Sequence, residues 1–230
     1  MNRRIRRVQI LVMLMAPLLL TAVLFAMPAQ AQETSLLQIG HWEQDLDETN
    51  GPEPLLWRVL DRTDEAVLLL SEKGLAAQPY QQRWREVTWE TCDLRSWLSE
   101  IFLQEAFTEE ERTQILSVPL TNPPKPTYQT KGGEATEDQI FLLSFEEVSR
   151  YLPTSEDRVA EATPAAVAAG VRVKPNGHCS WWLRTPGRKQ YHAATVTTSG
   201  DYYDFFDVTC KTNAIRPAMW VHTALTEREN

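Results

Sequence analysis

Hydrophobic and polar residues alternate most strongly near the carboxyl end of the chain, from Ser180 to Val221. Aromatic and β-branched side chains alternate there with polar ones, and Gly187 and Gly200 interrupt the pattern. Alternation bounded by glycine or proline is typical of half-buried antiparallel strands. The segment therefore predicts one antiparallel sheet with a β-hairpin at Ser199-Gly200. We expect the residues before it to cover one face of that sheet.

Earlier hydrophobic runs predict further strands. Leu36–Trp42 predicts an entry strand, and Leu55–Leu60 with Ala66–Ser71 predicts a hairpin. The second run of that hairpin is almost wholly apolar, which indicates a strand buried on both faces. Ile140–Leu143 predicts another buried strand. Residues Val118–Gln139 carry several prolines and no periodic pattern, which predicts a functional or mobile loop.

Short helices are indicated by three- and four-residue spacing of apolar residues and by capping residues. The predicted helices are Thr91–Phe102, one opened by the Thr108/Glu111 capping box and carrying Ile115 and Leu116 inward, one opened by Ser144/Glu147, and Thr163–Gly170. The chain is therefore predicted to be α+β, a mainly antiparallel sheet with two to four short helices packed on it.

The first 31 residues predict an export signal rather than part of the fold. Four arginines precede the apolar run Val8–Met27, and Ala29-Gln30-Ala31 offers a cleavage site for a signal peptidase. The apolar run is long enough to span a bilayer, so an uncleaved anchor is the alternative. Residues 32–230 then form a single domain, which we expect to be secreted or held in the cell envelope.

Composition narrows the classes of partner. The formal net charge is −8 at pH 7, and it becomes more negative if the four arginines of the leader are removed. Such a surface repels nucleic acid and anionic lipid. We therefore expect no nucleic-acid partner, and contact with a membrane only through an uncleaved amino-terminal segment. Eight tryptophans among 230 residues favour a packed globule over a disordered stalk.

The order of the motifs resembles a known bacterial family. The motifs are Leu-Trp-Arg-Val-Leu at 56–60, Leu-Leu-Leu-Ser-Glu-Lys at 68–73, Thr-Trp-Glu-Thr-Cys-Asp-Leu-Arg-Ser-Trp-Leu at 88–98, Ala-Phe-Thr-Glu-Glu-Glu at 106–111, Phe-Leu-Leu-Ser at 141–144, Trp-Trp-Leu-Arg-Thr-Pro-Gly at 181–187 and Ile-Arg-Pro-Ala at 215–218. Together they resemble the domain of unknown function 6273, to which no activity is assigned. Thr185 and Ala214 depart from that pattern, where serine and glycine are usual.

More remotely, residues 180–221 are similar to C-type lectin-like folds, a superfamily that includes formylglycine-generating enzymes. This resemblance implies a C-type lectin-like fold. It also raises an oxidoreductase as an alternative function, because formylglycine-generating enzymes use a cysteine pair to bind copper. The spacing of Cys179 and Cys210 does not match that pair. These two cysteines are interpreted either as a disulfide or as buried thiols, with Cys92 unpaired.

Recognisable catalytic motifs and metal-binding spacings are absent from the sequence. The four histidines are scattered at positions 41, 178, 192 and 222. Asp201, Asp204 and Asp207 offer oxygen ligands to calcium, but strand alternation puts Asp204 on the face opposite the other two. No metal site and no cofactor are predicted.

The candidate ligand-binding residues are aromatic and acidic side chains around the predicted hairpin: Tyr191, His192, Asp201, Tyr202, Tyr203 and Asp204. On a strand, Tyr203 and Phe205 share one face while Tyr202 and Phe206 share the other, so one pair is expected to meet solvent. Exposed aromatic rings beside acids suit a glycan, a peptide or a surface protein. The alternative is cross-strand pairing that only stiffens the hairpin.

Other prominent residues are interpreted as structural: Trp97, Trp182, Arg184 and Arg216. Trp181 and Trp182 are expected to point to opposite faces, with one of them in the core. An arginine in such a sheet most often pairs with a carboxylate or backbone carbonyls. The leading functional prediction is a non-catalytic recognition module for an extracellular ligand. The alternatives are an enzyme or a purely structural envelope domain.

Overall fold

Two curled sheets form the centre of the protein, which the computed structural model describes over residues 36–125 and 127–227. Two further pairs of short strands lie outside them. The strands are β1 (Leu36–Trp42), β2 (Glu53–Arg62), β3 (Ala66–Ser71), β4 (Ala76–Ala77), β5 (Ile115–Leu116), β6 (Val118–Leu120), β7 (Thr136–Asp138), β8 (Ile140–Phe141), β9 (Ala160–Glu161), β10 (His178–Cys179), β11 (Trp181–Pro186), β12 (His192–Val196), β13 (Tyr202–Asp207), β14 (Ala214–Ile215) and β15 (Ala218–His222).

The helices are short. They are α1 (Asp93–Trp97), α2 (Leu103–Ala106), α3 (Glu109–Gln114), α4 (Phe145–Tyr151), α5 (Ser155–Arg158), α6 (Pro164–Ala168) and α7 (Thr223–Glu227). A 3-10 turn at Trp89–Thr91 precedes α1, and a π-helical segment at Leu98–Phe102 joins α1 to α2. The protein is therefore α+β with mainly antiparallel sheets and short helices, as predicted, but the described residues contain seven α-helices where two to four were predicted.

The first sheet has six strands in the order β1-β2-β3-β15-β5, with β8 also pairing with β15. The predicted entry strand and the β2–β3 hairpin are confirmed, and β2 pairs with β3 from Trp57 opposite Ser71 to Arg62 opposite Val67. Strand β3 is buried from Val67 to Ser71, in agreement with its apolar sequence.

The second sheet has the order β13-β12-β11-β14-β4 and includes the predicted hairpin. Strands β12 and β13 pair antiparallel, and Gly200 in the connection has φ of +80°. Only the contact between β11 and β14 is parallel. Among the described residues, β13 is the last strand on this side of the sheet.

The prediction of a single sheet over residues 180–221 is wrong. Ile215 pairs with Ala76 in the second sheet, but Ala218 pairs with Leu70 and Phe141 in the first. Arg216-Pro217 is the crossing between them. All five residues of β15 pair with residues of β3, so the last strand completes the first sheet instead of extending the second. The upstream residues therefore build a second sheet rather than a cover for one face.

Several other segments differ from the sequence prediction. Ile115 and Leu116 form strand β5 and not the end of a helix, since α3 ends at Gln114. The region predicted to lack pattern, Val118–Gln139, contains the β6–β7 hairpin. Helices α5 and α7 were not predicted. Four or five residues are too few to show helical spacing, although the Thr154/Asp157 capping box was a sequence signal for α5.

Both members of the Trp181-Trp182 pair are fully buried, whereas the sequence predicted a core position for one of them. Trp182 packs against Tyr80 on one face of β11 and donates from Nε1 to Gln78 O at 3.2 Å. Trp181 lies against Arg216 on the other side and donates from Nε1 to Arg158 O at 3.0 Å. Strand β11 is therefore covered on both faces.

Within residues 36–125 and 127–227, no helix combines the length and the hydrophobicity that crossing a bilayer requires. The predicted signal peptide or anchor, residues 1–31, lies outside the described residues.

Candidate functional site

A continuous row of aromatic rings crosses the outer edge of the second sheet. We call it the aromatic row, and in spatial order its members are Trp84, Tyr191, His192, Phe205 and Tyr203. Successive ring centroids are 4.8, 4.7, 6.0 and 5.7 Å apart. These separations are those of aromatic rings in direct contact. The row is thus one surface rather than scattered aromatic residues.

Backbone hydrogen bonds hold the row together from three parts of the chain. The loop that carries Trp84 is anchored at both ends, by Gln81 N donating to Val208 O at 2.8 Å and by Val87 N donating to Gln190 O at 3.1 Å. Tyr191 and His192 come from the turn that begins β12, and the remaining rings come from β13. A site on anchored elements is held more rigidly than one on free loops.

Solvent reaches the two ends of the row. The exposed fractions are 61% for Trp84, 45% for Tyr203 and 39% for Phe205, while Tyr202 and Phe206 are partly buried against the core. The exposed and covered pairs on β13 therefore match the predicted alternation. Large exposed rings in a group suggest a contact surface rather than incidental exposure.

A β-bulge in β13 changes how the rings are arranged. Tyr203 lies opposite Thr195 and Phe206 opposite Ala193, so three steps along β13 match two along β12. The bulge brings the rings of Tyr203 and Phe206 to 5.2 Å although strict alternation would separate them. Bulges aim side chains away from the regular pleat and are frequent beside functional sites.

Basic side chains lie over the row. The guanidinium carbon of Arg188 is 4.3 Å from the centroid of Phe205 and 5.2 Å from that of Tyr128. The ammonium of Lys189 is 5.5 Å from the Tyr191 ring. Neither Arg188 nor Lys189 has a carboxylate within 4.0 Å in the described part of the chain. Aromatic faces contact both cations but do not occupy their N–H donors, which remain available to an anionic ligand.

The proline-rich region packs against this surface. Thr130 Oγ1 donates to Gly187 O at 2.8 Å, and Lys131 N donates to Gln190 Oε1 at 2.8 Å. Gln190 Nε2 in turn donates to Val87 O at 2.9 Å, which links the region to the Trp84 loop. The segment therefore supports the turn that carries Arg188.

Only three of the six predicted ligand-binding residues lie in the row: Tyr191, His192 and Tyr203. The ring of Tyr202 packs on Phe145 at 4.4 Å, and its hydroxyl lies 2.9 Å from Ser149 Oγ. The carboxylate of Asp204 pairs with Lys125 at 3.0 Å. Asp201 accepts a hydrogen bond from Ser199 Oγ at 2.9 Å. The packing of Tyr202 and the pairing of Asp204 engage these two side chains in local structure.

The prediction of candidate residues omitted Trp84, Tyr128 and Arg188. The signal for Trp84 was present, since the ring stands between Arg83 and Arg85 in a polar loop where no core position explains it. Arg188 reaches the Phe205 ring because its turn folds back over β13, and no local sequence pattern predicts that contact.

His192 is the titratable member of the row. Burial lowers its pKa below the ordinary value of 6.5, opposed by the nearby carboxylates Asp207 and Asp204 and assisted by Lys189. Its Nδ1 atom is buried and has no hydrogen-bond partner among the described residues. The neutral imidazole is therefore the form that this position favours.

The arginines predicted to be structural lie deep inside. Arg184 forms a two-point ion pair with Glu147 and donates from Nη1 to Leu142 O at 3.0 Å. Arg216 is fully buried, donates from Nε to Ser71 O at 2.8 Å and lies 5.1 Å from the Trp181 centroid. Trp97 is partly buried against Trp42 and Phe102.

Of the two interpretations of Cys179 and Cys210, a disulfide or thiols, the structure has the thiols. Cys179 Sγ donates to Ala160 O at 3.4 Å, whereas Cys210 Sγ lies 2.9 Å from Thr212 Oγ1, so the two sulfur atoms have different neighbours. Burial raises the pKa of Cys179 to about 12, and it raises the pKa of Cys92 to about 12 as well. Thiols with such pKa values are poor nucleophiles and poor metal ligands at neutral pH.

The three aspartates considered for calcium do not form a cluster. Asp204 is paired with Lys125, and Asp207 Oδ1 accepts from the backbone N and the hydroxyl of Thr209. Within the described residues, the carboxylates that come together are those of Glu43, Asp45 and Glu53, whose oxygens lie within 4.8 Å of one another.

Residues 64–223 match the model of the family described as Domain of unknown function (DUF6273). This match covers more than half of the chain. The chain belongs to that family. No curated protein and no solved structure matches it.

The matched region of this DUF6273 protein contains all of the aromatic row and its basic neighbours. Strands β1 and β2 both precede it, so the first sheet is completed by residues outside the matched region. The family description assigns no activity, and the function is inferred from the site itself.

Proposed function

We propose that this DUF6273 protein is an exported, non-catalytic recognition module that binds an extracellular ligand through its aromatic row. The single observation that carries this proposal is the exposure of Trp84, Tyr203 and Phe205 in one contiguous row of rings. A soluble fold gains nothing by leaving such rings in water, whereas a ligand that covers them recovers their apolar area. The proposed fold is C-type lectin-like, and the proposed export signal is residues 1–31.

We further propose an acidic polysaccharide as the ligand. Flat rings stack on the C–H faces of sugar rings, and tyrosine adds a hydroxyl for hydrogen bonding. Arg188 and Lys189 offer unpaired donors beside those rings, and guanidinium binds carboxylate in a two-point geometry. Among the described residues, Arg188 and Lys189 are cations without a carboxylate partner on a protein whose formal net charge is −8, which favours binding of carboxylate groups beside them over binding elsewhere on the surface.

The edge of the sheet favours a polysaccharide over an added peptide strand. A peptide that extends a sheet needs free carbonyl and N–H groups along the edge strand. Here the bulge interrupts β13, and Arg188 N already donates to Asp204 O at 2.7 Å. A ligand that binds through side chains meets no such obstacle.

An oxidoreductase built on Cys179 and Cys210 has less support. Such chemistry requires two accessible thiolates, but Cys179 is fully buried and its pKa is raised to about 12. The recognition proposal requires only the exposed surface.

The proposal is tested by binding of the protein to alginate, a polyuronate, compared with neutral dextran in the same assay. Tyr203→Ala combined with Trp84→Ala should weaken alginate binding by at least about tenfold, since each stacked ring contributes roughly 1 kcal/mol. Tyr202→Phe, a change on the covered ring beside Tyr203, is the matched control and should bind normally. Unchanged binding by the double variant, with its melting temperature preserved, would refute the role of the row.

A second pair of variants tests whether the positive charge of Arg188 contributes to alginate binding. Arg188→Gln should weaken alginate binding by about two- to tenfold and reduce its dependence on salt. Arg172→Gln, at an exposed arginine before β10, should have no effect. Equal binding of alginate and dextran would contradict the acidic ligand while leaving aromatic recognition standing.

A further inference from the structure

We propose a second binding site, for a small quaternary ammonium solute, in the groove between the end of β1 and the helical segment 93–106. The groove has a volume of about 320 Å³. Its lining includes Trp42, Glu43, Trp97, Ile101 and Glu105, and alanines of β4 and α6. Its volume is at the lower end of the range for small-molecule sites. None of its lining residues belongs to the aromatic row.

Two indole rings form a corner in this groove. The centroids of Trp42 and Trp97 are 6.0 Å apart, and their planes meet at 88°. Phe102 is fully buried beneath them and contacts both rings, at 5.1 Å and 5.7 Å. This third ring holds the corner in place. Two perpendicular indole faces can contact one cation from two sides, and indole is the most favourable ring for a cation.

The helical segment places the charge beside the corner. Trp97, Ile101 and Glu105 recur every four residues, so they line one stripe of this segment. The opposite wall is formed by alanines of β4 and α6, whose small side chains leave the groove open. In the described part of the chain, no lysine, arginine or histidine lies within 4.0 Å of the Glu105 carboxylate.

The charge of the groove selects the sign of its occupant. Glu43 and Glu105 are its only charged residues, and both are negative. Glu43 also belongs to the group with Asp45 and Glu53, whose carboxylate oxygens lie within 4.8 Å of one another. Backbone N–H groups of Leu46 and Gln44 donate to Glu43 and Glu53, but no basic side chain in the described ranges pairs with the three. Of these three residues only Glu43 lines the groove, so a cation bound there would offset the charge of Glu43 and Glu105.

The chemistry of the walls selects an organic cation. Calcium and magnesium require six or more oxygen ligands, and indole faces supply none. A quaternary ammonium ion carries its charge on methyl groups, so it loses little hydration when aromatic faces enclose it. Carboxylates at the rim then neutralise the charge without needing a hydrogen-bond donor from the ligand. A small solute in free solution fits the volume of the groove and requires no contact with protein surface outside it.

The test uses choline and its uncharged isostere 3,3-dimethylbutan-1-ol as probes of the full chain. Choline should shift the indole N–H signals of Trp42 and Trp97 saturably, and the alcohol should bind at least tenfold more weakly. Sodium chloride at equal ionic strength should produce no such shift. Equal affinity for the alcohol would reduce the site to an apolar groove and overturn the proposal.

Variants distinguish a loss of choline binding from a loss of folding. Glu105→Gln should weaken choline binding several-fold, while Glu100→Gln, an exposed residue of the same segment outside the groove, should not. Trp97→Leu should abolish the shift of Trp42, with circular dichroism as the control for folding. Normal choline binding by both Glu105→Gln and Trp97→Leu would refute the assignment. Binding of phosphatidylcholine vesicles without binding of free choline would also refute it, because the proposed occupant is a free solute.

Discussion

Nη2 of Arg184 lies 2.9 Å from Oε1 of Glu147, so a strand of the second sheet is joined to the first turn of α4. Glu147 also accepts a hydrogen bond from Ser144 N at 2.7 Å as the third residue of a capping box. One carboxylate therefore caps a helix and neutralises a buried guanidinium. The strand and the helix are consequently coupled through a single charge.

Glu147→Gln tests that coupling. The amide preserves shape but leaves Arg184 buried without a counter-charge, so the free energy of unfolding should fall by about 2–3 kcal/mol. The matched control is Glu111→Gln, whose carboxylate fills the same place in the Thr108 capping box and bonds Gly40 N without an ion pair. Its cost should be about 0.5–1 kcal/mol. Urea denaturation at pH 7 measures both, and equal losses would show that the ion pair adds nothing.

Both the backbone conformation and the close packing at position 200 require glycine. Its φ is +80°, and an added Cβ would lie 2.0 Å from Ser155 O. Gly200→Ala should therefore destabilise the protein by at least about 2 kcal/mol. Gly51 has the same φ with nothing within 4 Å, so Gly51→Ala should cost only about 1 kcal/mol. The difference between the melting temperatures of the two variants measures the cost of the close packing around Gly200. Equal melting temperatures would show that this packing adds no cost.

His192 should make stability depend on pH. Its pKa is lowered in the folded protein, so the unfolded chain binds the proton more tightly. Stability is therefore retained above the unfolded value of 6.5 and declines as pH falls from there through the lower folded pKa. His192→Gln should lose less stability than the wild type between pH 7.5 and pH 5. Parallel pH profiles for the two proteins would contradict this assignment.

The cysteines give a prediction that needs no variant. In the folded protein, a thiol reagent should modify Cys210 rapidly, because Cys92 and Cys179 are buried and have pKa values raised to about 12. All three thiols should react after unfolding without a reductant. One reactive thiol in the unfolded protein would instead reveal a disulfide.

Local patterns predicted much of the fold. The β2–β3 hairpin, the capping boxes at Thr108 and Ser144, and the hairpin around Gly200 follow from residues that are near in sequence, and the structure contains them all. The pairing of β15 with β3 joins residues far apart in sequence. Its apolar pattern is equally compatible with either sheet, so pattern alone assigned it to the wrong one.

The candidate site shows the same division. The sequence by itself determined that rings on β13 would alternate between solvent and core, because side chains on a strand alternate whatever lies around them. Tertiary structure alone decided that Trp84 and Arg188 join those rings and that Tyr202 packs beside Phe145. It also brought Trp42 and Trp97 into one corner. Such contacts depend on which elements pack together, and that choice is made by burial over the whole chain rather than by any local segment.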